Sequence, residues 1–199
     1  RQRTDSTPVL AAIRVLNRLE RVGETLRAAL NHLAVVAPAW LQTLAPPAWY
    51  DRYSHRVENY HFPKTEAARQ AFAAVIGADG QRLLQASDAA LEQPWLQEVP
   101  ALQTLRRVWA EPYVEVNGTL SWREVKDMPS PAELIASPYD PEARYSTKRA
   151  VEWVGYKVHL TETCETDTPH VIVNVETTPA TTPDDHMVKQ VHASLEPRD

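Results

Sequence analysis

Apolar side chains recur every three or four positions along the first part of the chain, which is the spacing of one face of an α-helix. They stand at positions 9, 12, 16, 19, 26, 30 and 33, and Pro8 suits the first turn of a helix. The pattern predicts one long helix from about Val9 to about Val36, where Ala37-Pro38 would end it. Such a stripe is typical of core packing, which we favour over an oligomerising coiled coil.

Shorter helical patterns continue to residue 110. Prolines at positions 38 and 47 favour the starts of two short helices. An alanine-rich helix is predicted over residues 65–76, an interruption at 78–80, and further helices over 81–86, 87–92 and 102–110. Aromatic and basic residues interleave between positions 40 and 64. They could stack on nucleic-acid bases, but packing between helices is the interpretation that we favour.

Strand patterns dominate after residue 112. Residues 113–116 and 119–123 flank Asn117-Gly118, which is a type I′ hairpin signal. Residues 151–161 and 170–176 alternate in polarity and predict two antiparallel neighbours, the first with Val154, Tyr156, Val158 and Leu160 on one face. A capping-box pattern at 130–133 predicts a short helix to about residue 136, and Pro183-Asp184-Asp185 predicts the start of another.

The patterns and the composition together narrow the class of protein that this sequence encodes. The patterns predict an α+β chain that is mostly helical, with a small antiparallel sheet. The 199 residues contain one cysteine, Cys164, so no internal disulfide can form and the cytoplasm is the expected compartment. No apolar run reaches the ~20 residues of a membrane helix. The net charge of −5 disfavours a protein that coats nucleic acid, although basic residues cluster at 1–27 and 144–157.

Several charged residues are candidates for function, and each has a simpler interpretation. Asp5, in R-T-D-S-T, could cap a helix or could hold a divalent cation, and the local pattern favours the cap. Asp140 could form an Asp-Pro turn or join a metal or arginine network. Arg144, Lys148 and Arg149, just before the first predicted strand of the pair, could be a solvated face or could contact phosphates, with neither interpretation favoured.

Other chemistries find no support in the sequence. The seven histidines and the single cysteine show no zinc-ligand spacing. No Ser/His/Asp or Cys/His signature is present, and five glycines form no phosphate-binding loop.

Four ordered motifs resemble those of a known family. The first is R-T-D-S-T followed by V-L-A-A-I-R-V-L-N-R-L-E-R-V-G-E-T-L-R-A-A-L. The later ones are S-P-Y-D-P-E-A-R-Y-S-T-K-R, W-V-G-Y-K-V-H-L-T-E-T-C and H-V-I-V-N-V-E-T-T-P-A-T-T-P-D-D. Together they resemble a group of bacterial insertion-sequence transposases of the DDE type. The family often has histidine after D-S-T, where this chain has Pro8.

The resemblance implies an RNase H-like fold. Residues 1–8 would hold its first strand, 9–136 a helical insert that ends in a possible hairpin, and 137–199 the second and third strands with the helix that follows. Asp5 would be the first acid of the catalytic triad, which reverses the local preference for a cap. The second and third acids would lie beyond Asp199, and Asp184 and Asp185 are not taken as the second acid. The strand near Val151 must then lie beside the strand of Asp5.

The resemblance also implies partners. The complete enzyme would use two Mg²⁺ or Mn²⁺ ions to cut and rejoin DNA, and would act as a homo-oligomer. Arg144, Lys148, Arg149 and Lys157 would face the DNA. With one acid of three, we expect this chain alone neither to hold the metals well nor to cut DNA. The alternative is a non-catalytic DNA-binding or regulatory derivative of a transposase.

Overall fold

The computed structural model describes residues 2–58, 61–148 and 150–195. Helices account for 47% of the chain and strands for 24%, so the predicted mixture of many helices with small antiparallel sheets is confirmed. The chain divides into two compact units. We call Arg1–Ile13, Pro131–Glu133 and Glu142–Asp199 the sheet unit, and Arg14–Ser130 and Leu134–Pro141 the helical unit.

The described residues of the helical unit form five α-helices and a two-stranded hairpin. Its helices are α1 (Arg18–Val36), α2 (Pro38–Leu44), α3 (Pro47–Tyr53), α4 (Glu66–Ala89) and α5 (Pro100–Ala110). A 3-10 helix at Pro94–Glu98 joins α4 to α5, and another forms at Val125–Asp127. The predicted short helices at Pro38 and Pro47 are confirmed, with proline in the first turn of each.

Helix α1 begins about nine residues later than the periodicity predicts. Asn17 caps it, because its side chain accepts hydrogen bonds from Leu19 N and Glu20 N while the Glu20 carboxylate accepts from Asn17 N. The predicted start near Val9 is therefore wrong, since Val9 belongs to a strand. From residue 19 onward the predicted stripe is confirmed, because Leu26 and Leu33 are fully buried.

Helix α4 runs without a break through the predicted interruption at residues 78–80. Gly80 lies inside the helix where the ring of Trp109 packs against it, and a Cβ atom built on Gly80 would lie 2.1 Å from Trp109 Cζ2. The glycine is thus required by close packing and does not mark a helix end. The further helix predicted over 87–92 is also wrong, because α4 ends at Ala89.

Three of the aromatic residues between positions 49 and 62 pack inside the helical unit. Trp49, Tyr53 and Phe62 are buried, whereas Tyr50 is 76% exposed. Arg52 pairs with Asp79 at 2.7 Å, and the Tyr53 hydroxyl donates to the same carboxylate. The packing interpretation is confirmed for these three rings, while Tyr60 lies outside the described residues.

Buried charges join α1 to the segment Leu134–Pro141 of the helical unit. Glu24 accepts from Arg27, from the Tyr139 hydroxyl at 2.7 Å and from the backbone N–H of Val57. Burial opposes the charged form of Glu24, but these donors outweigh it and hold the pKa of Glu24 below its ordinary value. Arg21 pairs with Glu111 at 3.0 Å. The S-P-Y-D motif is therefore fixed by charged partners on a helix that lies far away in sequence.

The Asn-Gly hairpin is confirmed. Strands β2 (Tyr113–Val116) and β3 (Thr119–Trp122) pair antiparallel, with Tyr113 opposite Trp122. Asn117 has φ 51° and Gly118 has φ 76°. Positive φ at both central positions is what a type I′ turn requires, and these two residue types tolerate it.

The sheet unit is built around one long strand. Its strands are β1 (Gln2–Leu10), β4 (Arg144–Lys148), β5 (Val151–Thr163) and β6 (Ile172–Pro179). Each of the other three strands pairs antiparallel with β5. The register of β1 places Asp5 opposite Leu160 and Ser6 opposite His159. The expected pairing of the strand of Asp5 with the strand beginning near Val151 is confirmed.

Gly155 allows the close approach of β1 to β5. Its φ is 151°, and a Cβ atom there would lie 2.2 Å from the carbonyl oxygen of Val9. Only glycine fits this position without displacing the neighbouring backbone.

Two local features of the sheet unit differ from what the sequence suggests. The basic residues Arg144 and Lys148 precede β5, as predicted, but they lie in a strand of their own, β4. The capping-box pattern at 130–133 gives turns and bends, not a helix. The predicted helix after Pro183 is confirmed as a 3-10 turn, Asp184–Met187, that leads into α6 (Val188–Leu195).

The more deeply buried face of β5 is not the face that carries its alternating apolar residues. Alternation is confirmed, but the more deeply buried side chains of β5 are Trp153, His159 and Thr161, not those of the apolar set. Helix α6 and the turn before it cover the His159 face through Met187 and Val191. On the opposite face apolar side chains remain exposed, among them Val9, Val173 and Val175. None of the described helices combines the length and apolar composition needed to cross a membrane.

The contact of Gly80 with Trp109 gives a stability prediction. Gly80→Ala should lower the free energy of unfolding by about 1–3 kcal/mol, because overpacking a rigid core ring outweighs the gain of about 1 kcal/mol in helix propensity. Urea unfolding followed by circular dichroism measures it. Gln85→Ala, on an exposed position of the same helix, is the control and should change stability little. Equal or greater stability of Gly80→Ala would show that this packing does not constrain α4.

Candidate functional site

Asp5 stands exposed on β1. Its Oδ1 atom accepts a hydrogen bond from the backbone N–H of Ser6 at 2.8 Å. It caps no helix, because α1 is capped by Asn17. Alternation along the strand places the side chains of Asp5 and Ser6 on opposite faces. The structure thus presents a carboxylate on a strand.

Ser6 is the point where three segments of the sheet unit meet. Its side chain is 7% exposed, and its hydroxyl donates to Asp184 Oδ2 at 2.9 Å. Lys148 Nζ donates to the Ser6 hydroxyl at 2.8 Å and to the Ser6 carbonyl at 3.1 Å. The residue next to Asp5 is therefore held from β4 and from the turn after β6.

Asp184 is the acceptor at the centre of this cluster. Its Oδ1 atom accepts from Lys157 Nζ at 3.1 Å, and its Oδ2 atom lies 3.6 Å from Lys148 Nζ. Lys157 also donates to the carbonyl of Thr182 at 2.7 Å. Burial opposes ionisation of Asp184, but the Ser6 hydroxyl and the two ammonium groups outweigh it and hold the pKa of Asp184 below its ordinary value. We call Ser6, Lys148, Lys157 and Asp184 the Asp184 cluster.

His159 lies buried beside this cluster. It is 1% exposed, and its Nε2 atom lies 3.0 Å from the Thr178 hydroxyl. Burial disfavours the imidazolium form and holds the pKa of His159 below its ordinary value, although Asp184 acts in the opposite direction. His159 is thus a neutral, hydrogen-bonded core residue near neutral pH.

Two recesses border β1. The first is lined by Asp5, Ser6, His159, Asp184 and residues of α6, among them Val191 and His192. The second is lined by Asp5, Ser6, Pro8, Lys148 and Val151. Asp5 and Lys148, which the sequence suggested for different roles, therefore share one recess. The Lys148 ammonium contacts the hydroxyl and the carbonyl of Ser6, whereas the Asp5 carboxylate projects from the other face of β1.

The other predicted DNA contacts lie in different surroundings. Lys157 is 12% exposed and is committed to Asp184 and Thr182, so it has little surface to offer a phosphate. Arg144 begins β4 opposite Gly155, and its guanidinium donates to the carbonyl of Ala143. Arg149 lies outside the described residues. Their roles in DNA binding stay predictions.

Asp140 is placed in the helical unit and not with Asp5 in the sheet unit. Its backbone bridges to Ser137, as an Asp-Pro turn would predict. The basic residues near the start of the chain are also engaged within the molecule: Arg14 pairs with Glu20, and Arg3 pairs with Glu162.

The described residues do not assemble a metal site. No group of three or more histidine, cysteine, aspartate or glutamate side chains that could hold a metal ion occurs among them. Asp5 offers one exposed carboxylate, whereas a two-cation site for phosphodiester chemistry needs several oxygen ligands. Asp184 does not supply a second ligand readily, because its oxygens already face Ser6 and two lysines. The residues described thus do not by themselves fit a pair of Mg²⁺ or Mn²⁺ ions.

Comparisons with protein-family models, with curated proteins and with solved structures found no match for this chain. The site is therefore interpreted from its own geometry and from the motifs of the sequence.

The sequence did not reveal the partners of Ser6. The hydroxyl lies 142 positions from Lys148 and 178 positions from Asp184. Only the antiparallel register, which sets Ser6 opposite His159, brings these residues together. The T-T-P-D-D turn can be recognised in the sequence, but nothing in its spacing predicts a contact with β1.

The buried His159 predicts a pH dependence of stability. Because its pKa is lower in the folded state, the unfolded state takes up the proton first, and stability falls as the pH drops through about 6.5, by at most about 1.4 kcal/mol per pH unit. His159→Gln should flatten the dependence between pH 7.5 and 5, measured by urea unfolding at several pH values. His170→Gln, at an exposed position, should leave the slope as in wild type. An unchanged slope in His159→Gln would contradict the assignment.

Proposed function

We propose that this chain carries the first part of the catalytic region of a DDE transposase, with Asp5 as the first acid of an RNase H-like active site. The observation that carries the proposal is the pairing of β1 with β5. An exposed acid on the first strand lies in register with a strand that begins some 140 residues later. The resemblance to the transposase family implies this pairing of strands, whereas no single motif of the sequence predicts it.

The order of the strands supports the same proposal. The strands β1, β5 and β6 follow one another as antiparallel neighbours, with β5 in the middle, and a helix follows β6. The resemblance implies this order for the first three strands and the first helix of the sheet. Asp5 would stand on the first of them.

Asp5 and Lys148, which line the same recess, would have separate tasks in the cleavage of a phosphodiester. Cleavage of a phosphodiester by in-line attack requires carboxylates that hold divalent cations, which activate the nucleophile and stabilise the leaving oxygen. Asp5 would contribute one carboxylate, and further acids must complete the set. Lys148, 32% exposed in the same recess, would contact a backbone phosphate and orient the strand that is cut. DNA is the substrate and partner in this proposal.

The proposal is tested on the open reading frame that encodes this chain, together with its flanking DNA, in a transposition assay in bacteria. Asp5→Asn should lower the transposition frequency about a thousand-fold or more, because a loss of about 4 kcal/mol of transition-state stabilisation corresponds to that factor. Asp185→Asn, which removes the same charge at another exposed position, is the matched control and should transpose within a few-fold of wild type.

Transposition of Asp5→Asn at the wild-type frequency would overturn the proposal. Absence of transposition by the wild type, with specific binding of the purified protein to the ends of the element, would instead favour a non-catalytic DNA-binding derivative. Gel-shift measurements on the same purified proteins test whether they bind the ends of the element specifically, and so identify the second of these outcomes.

A second prediction concerns the isolated chain of 199 residues. It should not nick supercoiled plasmid in the presence of Mn²⁺, since Asp5 alone cannot assemble a two-cation site. Gel electrophoresis of the plasmid is the measurement. Nicking that Asp5→Asn abolishes, but that Asp185→Asn retains, would show that other residues of this chain complete the site.

A further inference from the structure

The Asp184 cluster accounts for two sequence features to which the proposed function assigns no task. These are the T-T-P-D-D turn and Lys157 of β5. From the contacts of this cluster we infer that Asp184 is a positioning residue, which holds β1 in place through Ser6 and so fixes the direction of the Asp5 carboxylate. This inference rests on the proposed function only for the role of Asp5. The anchoring of β1 is inferred from the contacts of the Asp184 cluster alone.

Strand β1 is hydrogen-bonded along one of its edges in the described residues. Among the described residues, β1 pairs with β5 and with no other strand. A strand held by a single ladder opens locally at a lower free energy than a strand held on both edges. A catalytic carboxylate, in contrast, must be kept within about 0.5 Å of its working geometry. Contacts beyond this ladder would therefore help to keep Asp5 in a fixed position.

The cluster supplies those contacts at the adjacent residue. Ser6 donates its hydroxyl proton to Asp184, and Lys148 donates to both the hydroxyl and the carbonyl of Ser6. The Ser6 N–H is then directed to the carboxylate of Asp5 at 2.8 Å. All three polar groups of Ser6 are thus committed, and one of them orients Asp5.

Lys157 holds the turn that carries Asp184. Its ammonium bridges the Thr182 carbonyl and Asp184 Oδ1, so the carboxylate is fixed relative to its own backbone. Asp184 also lies between the two ammonium groups, which would repel each other without it. A neutral side chain at position 184 would weaken the hold on Ser6 and leave two like charges close together.

The experiment measures amide hydrogen exchange by NMR in the isolated chain. Asp184→Asn should speed the exchange of β1 amides around Ser6 at least ten-fold and should move the amide proton signal of Ser6. Amides of α5, in the helical unit, should exchange as in wild type, whereas general destabilisation would speed both. Asp185→Asn is the matched control and should leave β1 unchanged. Ser6→Ala is the second variant, since it removes the link without changing any charge.

Exchange in β1 that stays at the wild-type rate in both Asp184→Asn and Ser6→Ala would overturn the inference. Faster exchange of β1 and α5 by the same factor would also overturn it, because that result shows only lower global stability. Ser6→Thr, which retains the hydroxyl, should restore slow exchange relative to Ser6→Ala. Failure of this rescue would count against the role of the hydroxyl.

The transposition assay separates this inference from the proposed function. Asp184→Asn and Ser6→Ala should lower the frequency at least ten-fold, and Ser6→Thr should recover most of it. If Asp5→Asn abolishes transposition while Asp184→Asn does not lower it, the positioning role fails and the proposed function stands. If Asp5→Asn has no effect, the proposed function fails, and the exchange rates alone decide whether Asp184 anchors β1.

Discussion

The antiparallel pairing of β1 with β5 is the constraint on which the sheet unit depends. It joins residues 2–10 to residues 155–163, so the loop that it closes contains more than 140 residues. The entropic cost of closure grows only slowly with loop length, and most of the intervening chain folds as a separate unit with its own core. A short polar strand at one end of the chain can therefore become part of a sheet whose other strands lie near the opposite end.

The covered face of the sheet unit contains polar contacts as well as apolar packing. Ser6, His159 and Thr178 are buried there, and each has a hydrogen-bond partner. Burying a polar group without a partner costs free energy, so these contacts also favour the observed register. The apolar side chains of β6 lie largely on the exposed side. The helical unit follows the usual rule, with a core of leucines, valines and aromatic rings.

Charged groups serve the two units in different ways. In the helical unit Glu24 and Arg21 are buried and fix a loop onto α1, so removing one partner would leave a charge without compensation. In the sheet unit Asp184 and Lys148 are partly exposed, and their effect comes from the buried hydroxyl that they hold in common. Many of the cations that the composition presents as a basic face are thus engaged inside the molecule.

Local rules in the sequence determined the elements that depend on one or two residues. Asn117-Gly118 specified the hairpin, prolines specified the starts of α2 and α3, and period-two alternation specified β5 and β6, because each rests on backbone preferences of the residues themselves. The resemblance of the motifs singled out Asp5. Tertiary structure decided the rest. Val9 fits a helical stripe but lies in a strand because β5 supplies its hydrogen bonds, and Gly80 resembles a helix end but makes room for Trp109. The partners of Ser6 come from three distant segments, and no spacing along the chain encodes a meeting that only the register of the sheet creates.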